Sequence, residues 1–303
     1  MIVIVCPGQG SQTPGFLQPW LEQPGYAEHL ATLSEASGID LAKHGTESDA
    51  ETIRDTAIAQ PLIVAAGLLT LRTLLDGRGD GIGVAGHSVG EFTAAAAAGI
   101  LSETDAIALV AERGAAMAEA ASLTPTGMSA VIGADETALQ ERLDDLGLQA
   151  ANFNGGGQVV VAGELDALER LKAEPPQGAR VIPLQVAGAF HTRHMSPAVQ
   201  RLEQAAAGIE ASNPTRPIWT NRDGGLITDG AEFLNLLVGQ VQSPVRWDRT
   251  METFAADGVT GIIEVAPAGA LVGLAKRGLK GVPTVAVKTP DDLPAALNMI
   301  EMA

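Results

Sequence analysis

One five-residue segment, Gly86-His87-Ser88-Val89-Gly90, constrains the fold more than any other part of the chain. It follows the apolar run Ile82–Ala85 and leads into an alanine-rich stretch that reaches about Ala98, with Gly99 as its stop. A buried strand that passes into a helix within so few residues needs a tight, strained turn, and the two glycines remove the side chains that would obstruct it. The serine is then held exposed at a strand end, beside helix N-terminal amides that favour negative charge. This strand–turn–helix order points to an α/β fold with a parallel sheet.

The rest of the chain extends that reading. Ile2–Cys6, closed by Pro7-Gly8, reads as a first buried strand, and Ile58–Leu75 as a buried helix bent or started near Pro61. Ser102-Glu103-Thr104-Asp105 has the pattern of a capping box and opens a helix from about Glu103 to Ala121. From about Thr124 to Ala187 the pattern changes to strand Ser129–Ile132, helix Glu136–Leu146, strand Leu148–Phe153, strand Gln158–Ala162, helix Leu165–Ala173 and strand Val181–Val186. That βαββαβ order is ferredoxin-like. Helix Pro197–Ile209, strand Pro217–Thr220, helix Leu234–Val241, strand Gly261–Val265 and helix Gly269–Arg277 then resume the larger unit. The expected fold class is α/β: a large α/β-hydrolase-like domain with a parallel sheet from residues 1–123 and 191–303, and an inserted ferredoxin-like small domain from 124–190, with a cleft between them.

Composition narrows the partners. Lys+Arg 19 against Asp+Glu 36 gives a formal charge of −17 over 303 residues, which argues against nucleic acid or an anionic membrane as the main partner. The acidity is concentrated in residues 1–190, with 9 basic and 24 acidic side chains, against 10 and 12 in 191–303. The second part can therefore present a local basic face, with Arg246, Arg249, Lys276, Arg277 and Lys280 as its candidates, to an acidic partner. Cys6 is the one cysteine, so an intramolecular disulfide and a cysteine zinc cluster are excluded. No signal-like N-terminus is seen and the apolar run Phe92–Leu101 is too short to span a bilayer, so a soluble, cytoplasmic protein is expected. Arg78-Gly79-Asp80 matches an adhesion tripeptide and is read as a turn.

A serine becomes nucleophilic only beside a base. Of the five histidines, His29 and His44 lie in polar sequence and are expected at the surface, while His87 adjoins Ser88 across a sharp turn and points elsewhere. His191 follows the last strand of the inserted segment, where the chain re-enters the larger unit and lines the cleft, which makes it the candidate base. His194 stands three residues on, without the glutamate spacing of a metal motif. Pro7-Gly8-Gln9-Gly10-Ser11-Gln12 ends the first strand, and a backbone N–H there, with that of Val89, would make a two-donor oxyanion hole. Arg113 interrupts an apolar helix and needs an anion, which Glu112, Glu91 or a substrate carboxylate could supply.

Taken together over nearly the whole length, these features resemble the malonyl-CoA:acyl carrier protein transacylases of bacterial dissociated fatty acid synthases and the acyltransferase domains of polyketide synthases. The matching pieces are Gly8-Gln9-Gly10-Ser11-Gln12, Gly86 to Glu91, Arg113-Gly-Ala-Ala-Met117, Asn152-Phe-Asn154, Ala189-Phe190-His191 and Ser243-Pro-Val-Arg-Trp247. The resemblance implies that Ser88 is acylated, His191 is the base, the Gln9 and Val89 amides form the oxyanion hole, and the main-chain carbonyl of Gln240 orients the histidine. It implies further that Arg113 binds the malonyl carboxylate, that Phe190 accompanies malonyl rather than methylmalonyl preference, and that Asn154 and His87 are substrate-binding. Malonyl-CoA and an acidic acyl carrier protein are the implied partners, with no metal or redox cofactor. Ala118 and Ala266-Pro267 depart from the family's usual Gln and Gly-Pro, and the first removes a polar group near Arg113. A serine hydrolase sharing the turn, a discrete polyketide acyltransferase and a non-catalytic docking module are the rival readings. Arg193 and the Lys276–Lys280 cluster are the cationic candidates for phosphate or carrier contact.

Overall fold

The structure is a computed structural model and describes residues 1–78 and 81–302. Gly79 and Asp80 of the expected Arg78-Gly79-Asp80 turn lie outside the described residues.

Among the described residues nine strands form two sheets: β1 Ile2–Cys6, β2 Ile82–Gly86, β3 Thr126–Ile132, β4 Gln149–Gly155, β5 Gln158–Glu164, β6 Arg180–Pro183, β7 Ile218–Trp219, β8 Gly261–Glu264 and β9 Thr284–Ala286. The first sheet runs β7-β2-β1-β8-β9, and every neighbouring pair in it is parallel. Its central strands read as unbroken apolar runs because helices cover both faces; all five residues of β1 and of β2 are buried. The order doubles back between β1 and β8, and the strand ends on the C-terminal side carry the loops where open α/β sheets place their ligands.

The second sheet is antiparallel, ordered β4-β5-β3-β6, and is interleaved with helices Glu136–Leu146 and Leu165–Ala173. Its side chains alternate between two environments, as the period of a strand dictates. Val131 and Val161 pack on Leu139, Leu143, Leu168 and Leu171 of its own helices. Met128, Ala130, Val160 and Ala162 face the other way and join the core built on the parallel sheet.

Several boundaries differ from expectation. β6 ends at Pro183, not Val186; Leu184 N–H still reaches the Met128 carbonyl at 2.9 Å, after which the chain leaves the sheet edge to line a cleft. The helix expected at Leu234–Val241 begins at Gly230, capped by the Asp229 side chain, and gives way to a tighter turn over Gln240–Gln242. Helix Thr56–Leu74 starts five residues before Pro61 because the Asp55 side chain caps it at the Ala57 N–H, 2.8 Å away. At Ser102 the side chain accepts the Asp105 N–H at 3.0 Å, and its hydroxyl turns to the Asp105 carboxylate at 2.5 Å. Helices Tyr26–Ser37, Trp247–Ala256 and Leu293–Glu301 had no sequence expectation.

Helix Thr56–Leu74, rather than the run at Phe92, is long and apolar enough to cross a membrane by composition. It is a core helix here, with 78% of its apolar window buried, and it packs along helix Glu103–Ser122.

Candidate active site

The turn after β2 is built by close backbone crossings. A Cβ on Gly86 would fall 2.1 Å from the Gly90 carbonyl carbon, and one on Gly90 would fall 2.1 Å from the Cys6 carbonyl oxygen of β1. No side chain fits at either place, so both glycines of the segment are sterically required. Between them Ser88 takes φ +54°. The one other non-glycine residue with positive φ among the described residues is His191, at +61°. Left-handed backbone at such residues persists only where the surroundings enforce it, and it gathers at functional sites.

The two strained residues meet. Ser88 Oγ and His191 Nε2 are 2.7 Å apart. His191 Nδ1 lies 2.9 Å from the Gln240 main-chain carbonyl, which can only accept. Nδ1 therefore carries the proton, and the Nε2 lone pair is left facing the serine hydroxyl. The His191 backbone is held in turn by its N–H to the Val241 carbonyl at 2.9 Å. Burial, and after it the charge of Arg113, pushes the His191 pKa down to about 3, so the imidazole is neutral at physiological pH.

Arg113, fully buried, stands on the other side of the hydroxyl. Its Nη2 donates to Ser88 Oγ at 3.3 Å and to Gln240 Oε1 at 2.6 Å, and its Nη1 donates to Gln60 Oε1 at 2.7 Å. The guanidinium carbon sits 5.7 Å from the Phe92 ring centroid. The three anions considered from sequence are now distinguished. Glu112 is taken by Arg201 at 2.7 Å, and Glu91 reaches Arg113 only through the Gln240 side chain, whose Nε2 donates to a Glu91 carboxylate oxygen. Neutral amides thus hold the cation, and its buried Nε has no protein partner among the described residues. Of the anions considered from sequence, neither protein carboxylate hydrogen-bonds the guanidinium directly. Burial pushes the Glu91 pKa up to about 7, and the Asn221 and Gln240 hydrogen bonds oppose the rise.

A cleft of about 520 Å³, including its open mouth, joins these groups to the antiparallel sheet. Gln9, Ser88, Val89, Arg113 and His191 line one side, and Met128, Asn152, Val160, Leu184, Val186 and Phe190 the other. Gln9 reaches it because Gly8 packs on the turn, where a Cβ would come 3.1 Å from His87 Nδ1 and the His87 carbonyl oxygen. The Ser88 N–H is committed to Asn221 Oδ1 at 2.6 Å, and Val89, next in the turn, lines the cleft.

Asn154 and His87, both expected as substrate-binding, are placed differently from one another. Asn154 stands behind His87, its Oδ1 accepting from His87 Nε2–H at 3.0 Å while its Nδ2 donates to Gln158 Oε1 at 3.3 Å, and does not line the cleft; Asn152, two residues earlier on β4, does. His87 lines the cleft but is anchored by Asn154 and by an edge-on contact with Trp247 at 5.6 Å between centroids. His29 is not a surface histidine: its side chain is 12% exposed and pairs with Glu103 at 2.6 Å. Of the candidate basic face, Arg246 is spent on Asp248 (2.9 and 2.6 Å) and on the Phe153 ring, whereas Arg249, Lys276, Arg277 and Lys280 are exposed. Among the described residues no group of three or more His, Cys, Asp and Glu side chains gathers as a metal site would. Sequence reasoning missed Gln60, a lone amide in an apolar helix, and Asn221, which no local pattern marks.

Residues 3–291 match the acyl transferase domain family. A malonyl CoA-acyl carrier protein transacylase of Mycobacterium tuberculosis is 51% identical over 302 residues, covering 99% of this chain and 100% of the relative. The chain belongs to the acyl transferase family. The family's solved structures share its architecture. The crystal structure of the M. tuberculosis protein superposes with a TM-score of 0.95 at 51% identity, covering 98% of this chain and 100% of that one. A complex of a type II polyketide synthase acyl-carrier protein with its malonyl-transacylase matches at a TM-score of 0.90 and 32% identity, over 98% and 99% of the two chains.

Proposed function

We propose that this acyl transferase moves a malonyl group from malonyl-CoA to the phosphopantetheine thiol of an acyl carrier protein, through a malonyl ester on Ser88. The observation that carries the reading is a hydroxyl shared between a neutral imidazole at 2.7 Å and a buried guanidinium at 3.3 Å. The first makes an acyl acceptor, and the second selects an acyl group that ends in a carboxylate.

In the first step His191 Nε2 takes the Ser88 proton as Oγ attacks the thioester carbonyl. The oxyanion that forms faces the amides of Gln9 and Val89, each such donor being worth about 10²–10³ in rate. The C–S bond breaks, and the imidazolium returns its proton to the departing CoA sulfur. In the second step the carrier's thiol gives its proton to His191 and attacks the ester, and Ser88 Oγ leaves with the proton restored. The atoms balance without a metal or redox partner.

Arg113 supplies selectivity as well as binding. Uncompensated, its buried cation penalises an acetyl or longer neutral acyl chain, because nothing on such a chain replaces the water the cation gave up. Phe190, 6% exposed on the cleft wall, occupies space that a 2-methyl branch would need. The exposed Lys276, Arg277 and Lys280 offer the acidic carrier a basic face on a chain of net charge −17. We place this activity in fatty acid synthesis and in the cytoplasm, where the single buried thiol of Cys6 would stay reduced.

Brief incubation with malonyl-CoA followed by peptide mapping tests the reading. A malonyl adduct on Ser88 that a carrier protein's thiol discharges is the expected result. No adduct, or free malonate released as fast without carrier as acylated carrier forms with it, would replace the transferase with a docking module or a hydrolase.

A further inference from the structure

A residue with a Cβ enters the left-handed region only when its neighbours hold it there, and Ser88 is held from the adjoining strand. β7 runs parallel to β2, with Val84 opposite Ile218 and Ala85 opposite Trp219, so the residues that follow β7 lie beside the turn that follows β2. Asn221, 2% exposed, grips both arms of that turn with one carboxamide. Its Oδ1 accepts the Ser88 N–H at 2.6 Å, and its Nδ2 donates to the Gly86 carbonyl at 2.5 Å. Its own backbone N–H donates to Glu91 Oε1 at 2.8 Å, and Glu91 is bonded through its other oxygen to Gln240, whose Nε2 also donates to the Ser88 carbonyl at 3.1 Å. The Ser88 peptide groups are thus fixed on both sides from behind the cleft.

We propose that Asn221 is the positioning residue of the nucleophile: its carboxamide locks the Ser88 backbone, aims Oγ at His191 Nε2, and leaves the Val89 amide free to meet an oxyanion. This rests on Ser88 as the acyl acceptor. A carboxamide suits the place because it pairs an acceptor for the Ser88 N–H with a donor for the Gly86 carbonyl without bringing a charge. Asn221 does not line the cleft, so its effect falls on all acyl groups alike, unlike that of Arg113 or Phe190.

The test compares wild type, Asn221→Ala and Asn221→Asp in single-turnover reaction with malonyl-CoA and acetyl-CoA, mapping the adduct and recording melting temperature. Wild type must carry its adduct on Ser88; an adduct elsewhere defeats the reading of the nucleophile and leaves the brace a separate matter of hydrogen bonds. Asn221→Ala is expected to slow both acyl groups by one common factor of about 10², the scale of a misplacement of about 1 Å, with KM little changed. Asn221→Asp sets a carboxylate against the Gly86 carbonyl, and a proton on that carboxyl restores the missing donor. Its rate divided by that of wild type is therefore expected to rise as pH falls from about 8 to about 5, since protonation of a buried, repelled carboxyl sets in well above its ordinary range. Glu91, bonded to residue 221 and raised to about 7 by burial, titrates inside this window and couples to the new carboxyl, so the ratio is also recorded on a Glu91→Gln background, where the rise must persist; Arg113, His87 and His191 around the turn are common to both proteins, and Arg246 meets Asn221 through its backbone N–H. Wild-type rates in Asn221→Ala, a loss confined to KM or to malonyl, or a pH-independent ratio for Asn221→Asp would each overturn the assignment.

Discussion

The parallel sheet reaches the cleft with the turns at its strand ends, and the antiparallel sheet reaches it with the face of its strands. Gln9 follows β1 and Ser88 follows β2, each on backbone that glycine contacts hold against its neighbours. Met128, Asn152 and Val160 stand in the middle of β3, β4 and β5. A strained turn fixes the direction of one atom to a fraction of an ångström, whereas a strand face presents a broad apolar wall. The contrast suggests that rate is set on the first side and acyl-group shape on the second, and each expected outcome below bears on that division.

The largest effects belong to the turn side. Ser88→Ala is expected to abolish adduct formation. His191→Ala should slow it by about 10²–10⁴, the usual worth of a positioned base. Both are read by mass mapping and by transfer rate, with malonyl and acetyl affected alike. Arg113→Ala should separate the two acyl groups, slowing malonyl transfer by about 10²–10³ as a buried charge partner is lost, while acetyl transfer is held or improved. Equal losses would move Arg113 from selectivity to general scaffolding.

The same cation shapes the pH profile. The base must be unprotonated to act, and burial with Arg113 lowers the His191 pKa to about 3. Lowering pH through about 6.5, where a free imidazole takes up its proton, is therefore expected to leave this base in its working form, so kcat/KM for malonyl-CoA should not show the acid loss of an exposed histidine. Once a malonyl carboxylate sits on Arg113, the second cause of the depression is offset, and the acid limb of kcat should lie at higher pH than that of kcat/KM. With acetyl-CoA the two limbs should coincide.

Legibility in the sequence followed the same division. The turn was plain because steric need forces glycine at Gly86 and Gly90 and leaves a pattern in five adjacent residues. The βαββαβ segment was plain because period-2 and period-3.6 patterns alternate there, and helices Glu136–Leu146 and Leu165–Ala173 matched at both ends. What escaped was set by tertiary contact. Gln60 and Asn221 become functional candidates only when helix Thr56–Leu74 meets Arg113 and when β7 pairs with β2. Asn152 and Asn154 share a motif, yet the choice of which one lines the cleft depends on how β4, with its irregular pairing to β5, lies against His87. The family resemblance carried the Gln240 carbonyl, since nothing local marks a main-chain oxygen.

On the wall side the expected effects are smaller. Phe190→Ala should raise methylmalonyl transfer relative to malonyl by about 10-fold, because one methyl group in an apolar pocket is worth about 1–3 kcal/mol and part of the space will be refilled by its neighbours. Competition between the two thioesters for one enzyme measures the ratio directly. An unchanged ratio would put the branch against Met117 or Val186, which also line the cleft.

The least change in activity is expected where the antiparallel sheet turns away from the cleft. Leu143, 1% exposed, packs with Val131, Val161 and Leu171 on the far face of that sheet. Leu143→Ala should cost about 2–5 kcal/mol of stability by leaving a cavity, measured by denaturant unfolding, while adduct formation at low temperature stays near wild type. The reason lies in the alternation of the strands: Val160 and Ala162 bear on the cleft-side core, and Val161 between them bears on Leu143. A cavity on the far face is separated from the cleft by the hydrogen-bonded sheet itself, whose pairing of β3 with β5 runs unbroken from Thr126 to Ile132. If kcat fell with stability, the sheet would be transmitting the disturbance through its backbone, and the separation of wall from turn would fail at its most protected point.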